Sequence, residues 1–173
     1  MVLPTAYWAP ASYFRLRLQG AVTEVMETFE KQTFRNRCLI RDARGNELRL
    51  TVPVKKVEHK QMTRDIEISY QSRWQHQHWT ALVSAYEHTP YFFYYADFFK
   101  PFYEKQTRWL VDLNESIGSV TEMLLKNMPE GAARMPQTTD WSGLTWTDRH
   151  PWQKEPSIAT MLFEYGPEAI NKI

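Results

Sequence analysis

The stretch FRNRCLIRD-ARGN-ELRLTVPVK, residues 34–55, decides how this chain folds. Two apolar arms flank the turn residues 43–46, which is the pattern of a β-hairpin. In the second arm Leu48, Leu50, Val52 and Val54 alternate with Glu47, Arg49, Thr51 and Pro53. A period of two predicts one buried and one wet face. Pro53 has no amide hydrogen to give a neighbour, so the strand lies at an edge or ends there.

Working outward, residues 1–10 read as a first strand ending at Pro10, and residues 11–20 as a short helix closed by Gly20. Residues 21–29 read as a second strand, which suggests a βαβ unit. DIEISY, residues 65–70, alternates again, with Ile66, Ile68 and Tyr70 on one side. The period then changes. Ser72 and Gln75 form a capping box, and Trp79, Leu82, Val83 and Tyr86 follow on one helical face. Thr89-Pro90 opens another helix, which Pro101 breaks or kinks. The longest helix carries Trp109, Leu110, Leu113, Ile117, Val120 and Leu124 on a broad stripe, and a last helix ends near Gly166. Residues 129–156 read as an irregular, Trp-containing loop expected to pack on the body. The whole predicts one α/β or α+β domain over 1–173: a mixed sheet of about five strands from the N-terminal half, covered by helices from the C-terminal half.

Composition narrows the function. At 43% hydrophobic the chain is not disordered, and 21 basic against 20 acidic residues argue against general nucleic-acid or membrane-surface affinity. Any anion site must be local. One cysteine excludes an internal disulfide and cysteine-rich zinc sites. The expected location is the cytoplasm, since the N-terminus has no signal-peptide pattern and no apolar run spans a bilayer.

Lys31, Arg35 and Arg37 crowd the entrance to the first hairpin arm. Extended chain puts Arg35 and Arg37 on one side and Asn36 and Cys38 on the other. A guanidinium pair grips phosphate or carboxylate with parallel hydrogen bonds. The other reading is a solvated face paired to Glu27, Glu30 or Glu47. Cys38, beside Leu39-Ile40, is expected to be buried and inert. Residues 55–64 are a second basic cluster, either a closing loop over a phosphorylated ligand or an ordinary polar loop. His76 and His78 lie two apart, so they do not make a helical metal pair, and neither a metal nor another cofactor is expected. His78 suits a general base or a helix cap equally.

Taken together, LPTAYWAPASYF (3–14), FEKQTFRNRCLI (29–40), LTVPVKK (50–56), residues 65–95, WLVDLNESI (109–117) and SIATMLFEYGPEA (157–169) resemble the WbqC-like family, named after a protein of bacterial O-antigen gene clusters. The order of the pieces matches too. Several members carry a His-Gln pair in the first strand; this chain has none there, so other residues would have to fill any role of that pair. The Asn-Arg step is present as Asn36-Arg37 and the His-Trp step as His78-Trp79. The resemblance implies a cytoplasmic role in making surface polysaccharide, such as acyl or aminoacyl transfer to a nucleotide-linked amino sugar. It implies an anionic small-molecule partner, a nucleotide-sugar or an activated acyl donor. Lys31, Arg35 and Arg37 would then hold the diphosphate, and Tyr7, Tyr91 and Tyr94 the sugar ring. His78, with Asn36 beside the cations, would serve the chemistry. A non-catalytic ligand-binding or assembly module of the same gene clusters is the alternative.

Overall fold

The computed structural model of the protein describes residues 2–42, 44–126 and 157–171. The chain opens with a βαβ unit. Strand β1 (Val2–Pro4) pairs in parallel with β2 (Val22–Glu24), and helix α1 (Ala11–Leu18) makes the crossover. Gly20 ends that helix at φ +95, with its amide on the Arg17 carbonyl and the Ala21 amide on that of Leu16. This pair of bonds is a Schellman cap, and its left-handed residue is why glycine stands there.

The hairpin forms from β3 (Arg37–Arg41) and β4 (Glu47–Thr51), antiparallel, with Cys38 opposite Leu50 and Ile40 opposite Leu48. The turn is held by Asp42, whose side chain accepts from the amides of Arg44 and Asn46. Inward residues Cys38, Ile40, Leu50 and Val52 are buried, as period two requires. Leu48, next to the turn, stays exposed.

The expected sheet of about five strands does not form. There are two separate two-stranded sheets, and the class is α+β with six α-helices among the described residues. Two physical causes stand out. The first strand stops at Pro4 because residues 5–9 turn inward: the Tyr7 amide bonds to the Phe34 carbonyl and Trp8 takes φ +45, which no strand admits. DIEISY makes only single bridges, Ile68 to Val54 and Glu67 to Trp109, because Pro53 cannot donate and a 3-10 turn occupies Thr63–Asp65. Ile66 and Ile68 are nonetheless buried.

Helix α2 spans Trp74–Tyr86, and its N-cap is Arg73 without a side-chain cap bond. The expected Ser72–Gln75 box is absent. Gln75 Nε2 instead donates to the carbonyls of Phe102 (3.0 Å) and Lys105 (2.7 Å), tying α2 to a later segment. Helix α3 (Phe92–Phe99) gives way at Lys100 to α4 (Pro101–Glu104), the break predicted from Pro101. Helix α5 (Leu110–Lys126) is the longest, and α6 (Ile158–Tyr165) is capped by Ser157, whose hydroxyl accepts from the Ala159 amide. The amides of Ser157 and Ile158 bond to the carbonyls of Leu39 and Ala9, so α6 closes over both the hairpin and the first segment. Trp8, Phe92, Phe99 and Phe163 form the aromatic centre of the core. The loop expected at 129–156 lies outside the described residues. None of the described helices is long and apolar enough to cross a membrane.

Candidate functional site

Residues 5–9 carry the first half of the site. A tryptophan at positive φ is sterically costly, and such strain persists only where packing enforces it. Here it aims Tyr7 and Trp8 at one point. Trp8 Nε1 donates to Tyr103 Oη (2.7 Å), the Tyr103 and Tyr7 hydroxyls are 2.8 Å apart, and Tyr7 Oη lies 2.9 Å from His78 Nδ1. An indole nitrogen only donates. A hydroxyl can accept twice, so the direction is fixed from the other end: with the neutral His78 ring giving its one hydrogen to the Thr51 backbone, Nδ1 accepts from Tyr7, and Tyr7 in turn accepts from Tyr103. The polarity of the chain is set: Trp8 to Tyr103 to Tyr7 to His78, with Nδ1 as the terminal acceptor.

His78 reaches this point because Trp74, His78 and Leu82 recur every four residues along the buried face of α2. Tyr7 is 0% exposed and His78 5%. Burial pushes the imidazole down to about 4, partly offset by a hydrogen bond to the Thr51 backbone. Since a carbonyl favours the protonated ring, that bond is a donation from the imidazole to Thr51. At neutral pH the ring is uncharged, and the Nδ1 lone pair takes the hydrogen of Tyr7. Burial also raises Tyr7 and Tyr103 well above the ordinary phenol value, outweighing the hydrogen bonds from Tyr7 and Trp8 that pull Tyr103 down, so both remain protonated donors.

The Asn36-Arg37 segment supplies the second half. Asn36 is buried; its Nδ2 donates to the Val52 carbonyl at 3.0 Å, and its Oδ1 has no hydrogen-bond partner among the described residues. Asn114 on α5 behaves alike: Nδ2 donates to Arg35 O (2.8 Å) and Thr5 Oγ1 (3.1 Å), while Oδ1 has no partner among the described residues. Arg37 is half-buried, and its Nε donates to Thr51 Oγ1 at 3.1 Å. Thr51 thus joins Arg37 and His78, one through its hydroxyl and the other through its backbone.

The remaining sequence-derived residues are placed differently. Arg35 does not face the same side of a strand as Arg37. It lies in the turn before β3, buried, with Nε and Nη2 on the two Glu27 carboxylate oxygens at 2.6 and 2.7 Å. Lys31 is exposed on the approach. Tyr91 stacks on Tyr95 near Gly166, and Tyr94 is 70% exposed on α3. No described hydrogen bond or ring contact joins either tyrosine to His78. Cys38 is buried, and burial lifts its thiol well above the ordinary value. No group of three His, Cys, Asp or Glu side chains with metal-binding spacing occurs among the described residues.

Sequence reasoning passed over Trp8, Tyr103, Thr51 and Asn114. Tyr103 is one of many aromatics between residues 91 and 103 and carries no local mark. Asn114 did have one: an amide between Leu113 and Ile117 on an otherwise apolar stripe.

No curated protein and no solved structure matches this chain. The model of the WbqC-like protein family matches residues 16–128, a span that holds Asn36, Arg37, Thr51, His78, Tyr103 and Asn114. More than half of the chain is covered, and the chain belongs to the WbqC-like protein family.

Proposed function

We propose that this protein is a cytoplasmic transferase that acts on an anionic, nucleotide-linked sugar in bacterial surface-polysaccharide biosynthesis, passing an acyl or aminoacyl group to an amino sugar. The observation that carries this reading is the directional hydrogen-bond chain ending on a neutral imidazole. The neutral amine of the sugar attacks the acyl carbon, the amide bond forms as the bond to the donor's leaving group (the thiol of an acyl-CoA) breaks, and the proton shed by the nitrogen needs a base, for which neutral His78 is available. Asn36 Oδ1, a buried acceptor without a partner among the described residues, is free to take a hydrogen bond from the sugar. Arg37, which among the described residues has no carboxylate partner, supports the phosphate more readily than Arg35, whose charge Glu27 already neutralises. Lys31 adds positive charge on the approach, and Tyr94 offers an open ring face. Because Tyr7 and His78 are sealed, substrate binding has to part the network.

The test is an assay of UDP- and dTDP-linked amino sugars with acyl-CoA donors, read by mass spectrometry. Tyr7→Phe and His78→Gln are each expected to lower turnover by about 100-fold, the smaller end of general-base effects, while circular dichroism remains native. Turnover unaffected by both substitutions sinks the assignment.

A second reading, a non-catalytic binding or assembly module, is favoured by one feature. Phe93 (87% exposed), Tyr94 and Phe98 (46%) form an open aromatic patch on α3. On that reading Phe93→Ser abolishes capture of a protein partner, and Arg37→Glu leaves every assay above unmoved.

A further inference from the structure

Three backbone segments meet away from the tyrosine chain. The Lys55 amide bonds to Glu67 O, the Ile68 amide to Arg108 O and the Leu110 amide to Ile66 O. Tyr70 locks the same walls: its hydroxyl donates to the Thr107 carbonyl and accepts from the Thr107 amide, both at 2.8 Å. Between them opens a cleft of about 720 Å³. That volume falls in the range of small-molecule sites, and the main-chain bonds make it preformed.

Its charged lining is unusual in proportion. Lys55 Nζ sits 2.6 Å from Glu67 Oε2, and Arg108 Nη2 sits 3.1 Å from Oε1 of the same carboxylate. Two cations share one anion, which leaves one positive charge over. The other lining groups are neutral, and Gln71 and Gln106 bring amides that donate and accept. Arg108 is further steadied with its guanidinium 4.5 Å above the Trp109 ring. Glu67 shows where an anionic oxygen sits between the two cations. Lys55 and Arg108, acting on it in that order, also hold its carboxyl below the ordinary value.

We infer that this cleft is a binding site for a phosphate-bearing small molecule, with Lys55 and Arg108 as its anion-binding pair and Glu67 as an internal competitor. The ligand's phosphate meets both cations, while its uncharged part lies along Tyr70 and the two glutamines. The site is separate from Arg35 and Arg37. It adjoins the tyrosine chain through rings: Tyr70 lies 5.9 Å from Trp74, and Trp74 lies 5.1 Å edge-on from His78. The inference stands apart from the proposed function, which assigns the nucleotide-sugar phosphate to Arg37; the occupant of this cleft is a second phosphate-bearing molecule.

The experiment is a titration of the intact protein with inorganic pyrophosphate and with UDP at fixed low ionic strength, followed by calorimetry and amide NMR shifts. Both probes are expected to move the signals of residues 67–71 and 106–108. The exposed ion pairs being broken are each modest, so Glu67→Gln is expected to tighten binding roughly fivefold and the double variant Lys55→Ala/Arg108→Ala to weaken it about tenfold. Lys100→Ala, which removes one positive charge elsewhere, should leave affinity as it was. Shifts confined to other segments, or a Glu67→Gln affinity no tighter than the parent's, would overturn the site. Pyrophosphate binding with these variant effects but no transferase turnover retains the site and removes the enzyme. Turnover that depends on His78, with no binding here, does the reverse.

Discussion

Lowering the pH from 6.5 to 4 is expected to cost the fold about 3 kcal/mol through His78 alone. Burial moves the imidazole from its ordinary 6.5 down to about 4. The folded state therefore holds the neutral ring over that window, while the unfolded chain takes up a proton. A state that binds more protons gains as pH falls, so stability is fully present above 6.5 and is lost as pH drops toward 4. Each pH unit across the window is worth about 1.4 kcal/mol. The measurement is urea unfolding at steps from pH 7 to pH 4, on the parent and on His78→Gln. Carboxylates such as Asp42 and Glu67, which are held low by their hydrogen-bond partners, titrate in both proteins. The difference between the two profiles isolates the imidazole. Parallel profiles would show that His78 is not buried neutral, and the directional chain from Trp8 would lose its acceptor.

Gly166→Ala is expected to destabilise the protein by about 4 kcal/mol, combining backbone strain with overpacking. Gly166 closes α6 at φ +52 and ψ −124, where a side chain is strained whatever the space. A methyl group there would also stand 2.3 Å from Cγ and Cδ1 of the Tyr91 ring. Tyr91 cannot easily withdraw, because its amide bonds to the Phe163 carbonyl and its ring stacks on Tyr95. For a chain of this size the loss corresponds to a fall in Tm of about 10 °C. The double variant Gly166→Ala/Tyr91→Ala separates the two causes, since it relieves the clash and leaves the strain. An unchanged Tm in the single variant would mean that α6 ends differently from the account above.

Legibility in the sequence followed the range of the interaction. The hairpin at 37–51, the cap at Gly20, the break at Pro101 and the long helix from Leu110 each rest on residues a few positions apart. The site was half legible. His78, Asn36 and Arg37 stand out as polar groups at element boundaries, and Tyr7 as an aromatic face suited to a sugar ring. Their partners were not. Tyr7 bonds to Tyr103, 96 positions away, and Asn114 reaches the Arg35 carbonyl across 79. Nothing local distinguishes those side chains from others of their kind.

The sequence by itself determined the hairpin, most of the helices and the family, because periodicity, turn chemistry and motif order are written within short windows, and it left the class open between α/β and α+β. Tertiary structure alone decided that the strands stay in two small sheets, and that Arg35 turns inward to Glu27. It also decided that an imidazole becomes the end of a one-way hydrogen-bond chain. Those outcomes depend on which groups lose water together when distant segments pack, and desolvation is a property of the assembled fold.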